Sequence, residues 1–290
     1  MRLSILGHVE ASVDDQPVML GGAKQRAVLA MLSLEANRPV TADRLVEGLW
    51  GEHPPPSAPK MVQNYVWRLR RALAGDGAEI VTRGRGYELR IDREHVDVCR
   101  LERLVSEAAR AAENGRANGA AREALGLFRG DPLADLADEP FANAEIRRIE
   151  ELRLTAAELA IDADLEAGRH QEVVGEIDAL LSDNPLRERL HAQRMLALYR
   201  CGRQAEALEA YRHARQTLVE AVGIEPGPEL QRLHDAVLRQ DPSLDVEPVV
   251  AALPLELDVT AAPMLGRDDE LHRLRGRWQH AAAGAGALVA

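Results

Sequence analysis

Aromatic residues are scarce: three Trp, four Tyr and two Phe among 290 positions. A chain so poor in them, and rich in Ala, Leu and Arg, is ill supplied for a β-sandwich or barrel and favours helices. Cysteine is almost absent. Cys99 and Cys201 stand far apart with no CxxC partner, which excludes a disulfide-dense fold and a cysteine zinc site and suits a reducing cytosol. Both are read as buried thiols. No stretch approaches about 18 uninterrupted apolar residues, so no membrane span is expected. The short interval between Arg2 and His8 cannot hold the apolar core of a signal peptide. A cytoplasmic location is the resulting expectation.

Chemical motifs are lacking too. No GxxxxGK[ST] occurs; Gly21-Gly22-Ala23-Lys24 has the wrong spacing, and Gly84-x-Gly86 has neither a third glycine nor a following helix. His170, His191, His213 and His234 are scattered without i, i+4 partners and read as surface side chains rather than metal ligands. Asp131, Asp135 and Asp138 fall in a loop and read as turn and cap residues. No Ser-His-Asp or Cys-His pattern stands out. The sequence therefore points to no catalytic residue, no metal, no cofactor and no enzyme.

What is present begins with length and charge. At 290 residues and 46% apolar composition, the chain has room for two packed domains and connectors. The net charge of −11 would argue against nucleic acid if it were even, but it is not. Residues 60–90 hold seven bases against three acids, whereas residues 95–240 hold 19 against 27. A local basic site on an acidic protein is thus allowed.

Residues 2–6 and 9–19 read as short strands, with Asp14-Asp15 as a turn. From Lys24 the period changes to helical, ending near Asn37-Arg38-Pro39. Thr41 is a good cap for a second helix over 42–49, and Ser57, after Pro54-Pro55-Pro56, for a third running to about Leu73. Gly75-Asp76-Gly77 breaks that helix, and Glu79–Ile91 reads as a hairpin turning at Arg83-Gly84-Arg85-Gly86. This is the order of a winged helix-turn-helix with an N-terminal sheet, assigned to residues 1–95 and expected to fold alone.

Residues 96–240 are helical almost throughout. Leu165-Glu166-Ala167-Gly168-Arg169 parallels Tyr199-Arg200-Cys201-Gly202-Arg203 at an offset of 34 residues, the tetratricopeptide period. Gly168 and Gly202 are expected to let paired helices turn back closely. Residues 241–263 are acidic, contain Pro242, Pro248, Pro254 and Pro263, and read as a linker. At Met264 an amphipathic pattern starts again, and residues 264–290 read as the truncated start of another domain. The fold class expected is mainly α with a small β component.

The third helix carries the candidate site. Val62, Val66, Leu69 and Leu73 form one apolar stripe. Lys60, Asn64, Arg68 and Arg71 then lie opposite, with Trp67 at the flank. Arg can fork onto guanine, Asn can pair with adenine, and Lys neutralises phosphate. Tyr65 and Arg70 complete the candidate set on this helix. An ordinary solvated helix face carries similar charges; the missing acids and the Trp favour DNA. Arg83 and Arg85 on the glycine-flanked tip can approach a minor groove, and Tyr87 can pack against the third helix or a backbone sugar.

Residues 60–73 together with Val81-Thr82-Arg83-Gly84-Arg85-Gly86-Tyr87 resemble the recognition helix and wing of OmpR/PhoB-type domains. The helical stretch, including Gly223-Ile224-Glu225-Pro226-Gly227-Pro228-Glu229-Leu230, resembles a bacterial transcriptional activator domain. The combination is similar to the SARP family, named for antibiotic regulators of Streptomyces. The resemblance implies a transcriptional activator of a secondary-metabolite gene cluster. It also implies binding to double-stranded DNA at direct, tandem repeats, a homodimer on DNA, and recruitment of RNA polymerase holoenzyme. Leu265-Gly266-Arg267 and Glu270 resemble the opening of an NTPase module, without the phosphate loop that ATP would need. The rival reading is a helical-repeat adaptor that binds a peptide or protein partner, the N-terminal domain serving as an interaction surface.

Overall fold

Alternating apolar residues start the chain as a small sheet. In the computed structural model, which describes residues 1–75, 77–113 and 119–245, β1 (Arg2–Ser4) pairs antiparallel with β2 (Glu10–Val13), Leu3 opposite Ala11. The tight turn into β3 (Gln16–Pro17) puts both Asp14 and Asp15 at positive φ, the backbone a two-residue hairpin of this hand requires. Helices α1 (Ala23–Leu34), α2 (Ala42–Trp50) and α3 (Ala58–Ala72) come next. Thr41 caps α2 as its position suggests, its side chain accepting from the Arg44 N–H at 3.2 Å. Ser57 precedes α3 but makes no capping bond; its hydroxyl lies 3.5 Å from the Met61 sulfur instead.

The hairpin forms from β5 (Ala78–Arg83) and β6 (Gly86–Ile91), joined by Gly84-Arg85 with Gly84 at φ +55°. A third strand, β4 (Pro39–Thr41), lies on the other side of β6, giving the order β4-β6-β5. Sequence periodicity indicates only a helix end there. Gly86 makes the pairing possible, since a Cβ at this position would sit 2.1 Å from the Val40 carbonyl oxygen.

The second region is built from α4 (Asp97–Glu113), α5 (Ala120–Leu125), α6 (Ala142–Glu166), α7 (His170–Asp183), α8 (Glu188–Arg200), α9 (Gln204–Val222) and α10 (Pro228–Arg239). Gly168 and Gly202 occupy equivalent turns, at φ +82° and +76°. Nothing lies near enough to obstruct a Cβ at either. The left-handed backbone, not close helix approach, is what asks for glycine. His191 is buried, its ring nitrogen 2.8 Å from the Pro185 carbonyl, so it is not the surface side chain expected. Cys99 is buried, whereas Cys201 is only partly so. The expected linker starts too early: a turn at Pro242–Leu244 packs Leu244 onto α8 and α10, and the Arg200 guanidinium donates to the Leu244 carbonyl at 2.7 Å. Residues 246–263 and 264–290, including Gly266, Arg267 and Glu270, lie outside the described residues.

One apolar core runs without interruption from Leu3 to Ala160. It joins the strands and first three helices to α4, α5 and most of α6. Asp97 at the start of α4 accepts hydrogen bonds from the Ile5 and Leu6 N–H groups at 2.8 and 2.9 Å. Asp135 accepts from the Val9 N–H at 2.9 Å and pairs with Arg26 at 2.5 Å. Lys24 reaches both the Leu49 carbonyl and Glu139. Residues 1–95 thus share their core with α4, α5 and α6, which argues against a self-sufficient fragment ending at 95.

Candidate nucleic-acid interface

α3 is positioned by the residues it hides. Val62, Val66, Leu69 and Leu73 are each at most 1% exposed, a stripe anchored in the shared core. Rotation about the helix axis is thereby fixed, and Lys60, Asn64, Arg68 and Arg71 emerge on the solvent side. No acidic residue occurs in α3. Among the described residues, neither Lys60 nor Arg68 has an ion pair or side-chain hydrogen bond.

Trp67 is 53% exposed, and the Arg71 guanidinium stacks over its ring at 5.0 Å. That contact holds both in one posture at modest cost to the cation, which stays exposed. Gln63 is also exposed. It lies three residues after Lys60 and four before Trp67, and that spacing was sufficient to have included it.

Two members of the expected set are engaged within the protein, Tyr65 with the core and Arg70, though exposed, with the hairpin. Tyr65 is half-buried and packs on the core. Arg70 crosses to the hairpin, where Nε donates to the Ile80 carbonyl at 2.7 Å and Nη2 to the Thr82 hydroxyl at 2.8 Å. Its guanidinium also lies 5.8 Å from the centre of the Tyr87 ring. These contacts tie helix and hairpin together at a fixed angle.

The hairpin arginines differ from one another. Arg83 pairs with Glu88 at 3.1 Å, and Arg90 reaches the same carboxylate at 3.2 Å. Partial desolvation opposes ionisation of Glu88, but the bonds from Arg90 and Arg83 outweigh it and hold its carboxyl below the usual range. Arg85 sits on the tip, exposed, with no ion pair among the described residues. Glu88 escaped the sequence reading, although the register carries the signal: with a two-residue loop, Glu88 faces Val81 and lies diagonal to Arg83.

The described residues contain no group of three or more His, Cys, Asp or Glu placed to hold a metal ion. No described helix is long and apolar enough to cross a membrane.

Comparison with known proteins matches both halves. Residues 15–89 match the family described as Transcriptional regulatory protein, C terminal, and residues 96–238 the Bacterial transcriptional activator domain. Regulatory protein DnrI of Streptomyces peucetius is 37% identical over 257 residues, covering 84% of this chain and 94% of its own. Regulatory protein AfsR of Streptomyces coelicolor is 39% identical over 92% of this chain, which spans only 28% of that longer protein. The solved structure of Mycobacterium tuberculosis EmbR, in complex with a low-affinity phosphopeptide, superposes with a TM-score of 0.79 at 37% identity, covering 83% of this chain and 65% of that one. A winged helix joined to a helical activator domain, with close relatives of the same build, leaves one conclusion: the chain belongs to the SARP family of transcriptional regulators.

Proposed function

We propose that this protein is a sequence-specific activator that lays α3 in the major groove of double-stranded DNA. The observation that carries the proposal is the outer face of α3, which has cations and amides, no acid, and donors left free by the fold. In this reading Arg68 and Asn64 read base edges, while Lys60 and Arg71 hold phosphates and Trp67 packs against the backbone. Arg85, with Arg83 behind it, enters the flanking minor groove. Tyr65 and Arg70 position the helix and hairpin without touching DNA.

The remainder of the proposal rests on family membership. The protein works in the cytoplasm, binds tandem repeats as a pair of protomers, and recruits RNA polymerase holoenzyme at promoters of an antibiotic gene cluster. Two weakly binding protomers on adjacent repeats gain affinity through effective concentration. The acidic helical region is unsuited to phosphate and is left to protein contacts.

The test is titration of operator and random duplexes at several salt concentrations. Lys60 and Arg71 on phosphate give a slope of log K against log salt of roughly −2, at about −0.9 per phosphate. Arg68→Ala reduces discrimination between the duplexes by about 1–3 kcal/mol. A flat salt dependence would hand the protein to the adaptor reading, and an unchanged operator-to-random ratio would remove Arg68 from base recognition.

A further inference from the structure

A cleft of about 300 Å³ opens where α1, β4 and α2 meet the segment leading into α6. This volume is at the lower end of small-molecule sites. Met31, Val40, Gly48 and Phe141 supply apolar lining. The opposite walls belong to the winged helix and to the activator region, and the Phe141 N–H donates to the Gly48 carbonyl at 3.2 Å.

The charged lining is unbalanced. Glu35 pairs with Arg44 at 2.9 Å, and Glu145 with Arg148 at 2.9 Å. Glu47 also lines the cleft and has no cationic partner among the described residues. An apolar floor with one uncompensated carboxylate at its edge suits a small amphiphile bearing a cation and repels one bearing an anion.

Gly48 controls the volume. A Cβ there would lie 2.4 Å from Met31 Cε and 2.7 Å from its sulfur. The flexible thioether is the group that must move, and it lines the cleft. Glycine therefore keeps the cleft open.

From this we infer that the cleft is an effector site for a small hydrophobic amine, its apolar body against Met31 and Phe141 and its ammonium at Glu47. A molecule seated there touches both walls and strengthens their docking. Any consequence for DNA rests on the function proposed above; binding itself does not.

The test uses the full chain labelled with methyl-¹³C methionine and three probes of one shape: 4-phenylbutylamine, 4-phenylbutanol and 4-phenylbutyrate. Only six methionines are present. Met19, 87% exposed, serves as an internal control, and Met31→Leu assigns the Met31 signal. The amine shifts the Met31 methyl resonance saturably and leaves Met19 in place; the alcohol binds more weakly and the carboxylate weakest. Glu47→Gln, on an exposed side chain, weakens the amine about two- to fivefold and leaves the alcohol unchanged. Gly48→Ala abolishes the shift with either. A Met31 signal unmoved by all three probes overturns the inference, as does equal binding of amine and carboxylate. If Gly48→Ala fails to fold, the Glu47→Gln comparison decides alone. Because no DNA enters these measurements, their failure leaves the proposed function untouched, and a failure of DNA binding leaves them intact.

Discussion

Arg70→Ala separates two ways in which a cation on a recognition helix can serve. An arginine that touches DNA adds to the salt dependence and little to stability; one that fixes the hairpin does the reverse. The cost can be worked from its three contacts. The bond to the Ile80 carbonyl is charge-assisted and partly sheltered, a class worth roughly 1.5–3 kcal/mol. The bond to the Thr82 hydroxyl is exposed. The guanidinium over Tyr87 is worth about 0.5–1 kcal/mol at such a site. β5 is an edge strand, so water replaces Arg70 at the Ile80 carbonyl and the lower values apply. The expected loss is about 1.5–2.5 kcal/mol, read as a lowered urea midpoint. Affinity for operator falls because the hairpin no longer holds one angle to α3, but the salt slope stays at the wild-type value. Arg70→Lys keeps the charge without the fork and should lie between the two in stability. An unchanged urea midpoint with a slope reduced by about 0.9 would falsify the positioning role and return Arg70 to the phosphates.

Arg85→Ala should weaken binding to A·T-rich flanks more than Arg83→Ala does, because Glu88 already compensates Arg83; equal losses in anisotropy titrations count against the assignment. Gly86→Ala drives a methyl into the Val40 carbonyl and should cost at least about 2 kcal/mol by overpacking between β4 and β6, whereas a urea midpoint close to wild type would show that the strands part freely. Asp97 supplies a pH test. Burial pushes its carboxyl up to about 6, against hydrogen bonds from Leu6, Ile5 and Val98 and the nearby charge of Arg129. Between its ordinary 3.8 and that value the native state holds a proton that the unfolded chain has lost, so stability declines as pH rises through about 6. Asp97→Asn lacks this component, and urea midpoints at pH 5 and 7.5 should differ less for the variant than for wild type; parallel shifts would contradict the argument.

Local patterns disclosed most of the architecture because they are enforced locally. The α3 stripe, the Thr41 cap, the Asp14-Asp15 turn and the glycine pair 34 residues apart each depend on neighbours within a few positions. What escaped depends on partners distant in sequence. β4 is three residues long, too short to show a period, and is a strand only because β6 lies beside it. Arg70 falls on the flank of the helix by spacing alone, and its attachment is set by where the hairpin returns. His191 looks like a surface histidine until α8, the helix that carries it, packs among its neighbours. The composition shift near residue 95 marked a boundary that packing does not respect, since Leu3 and Ala160 belong to one core.

That shared core bears on how such regulators can be recombined. A chimaera that exchanges DNA specificity by splicing at residue 95 would bring the face made by Leu3, Ile5 and Leu6 against a foreign α4. It would also lose Asp97, Asp135 and Glu139 as partners for Ile5, Val9 and Lys24. Splices are better tolerated farther along, beyond Ala160, where the donor's winged helix travels with the helices that complete it. The transplantable cassette is therefore about two-thirds longer than the DNA-reading segment alone, and specificity is inherited with half of the activator region attached.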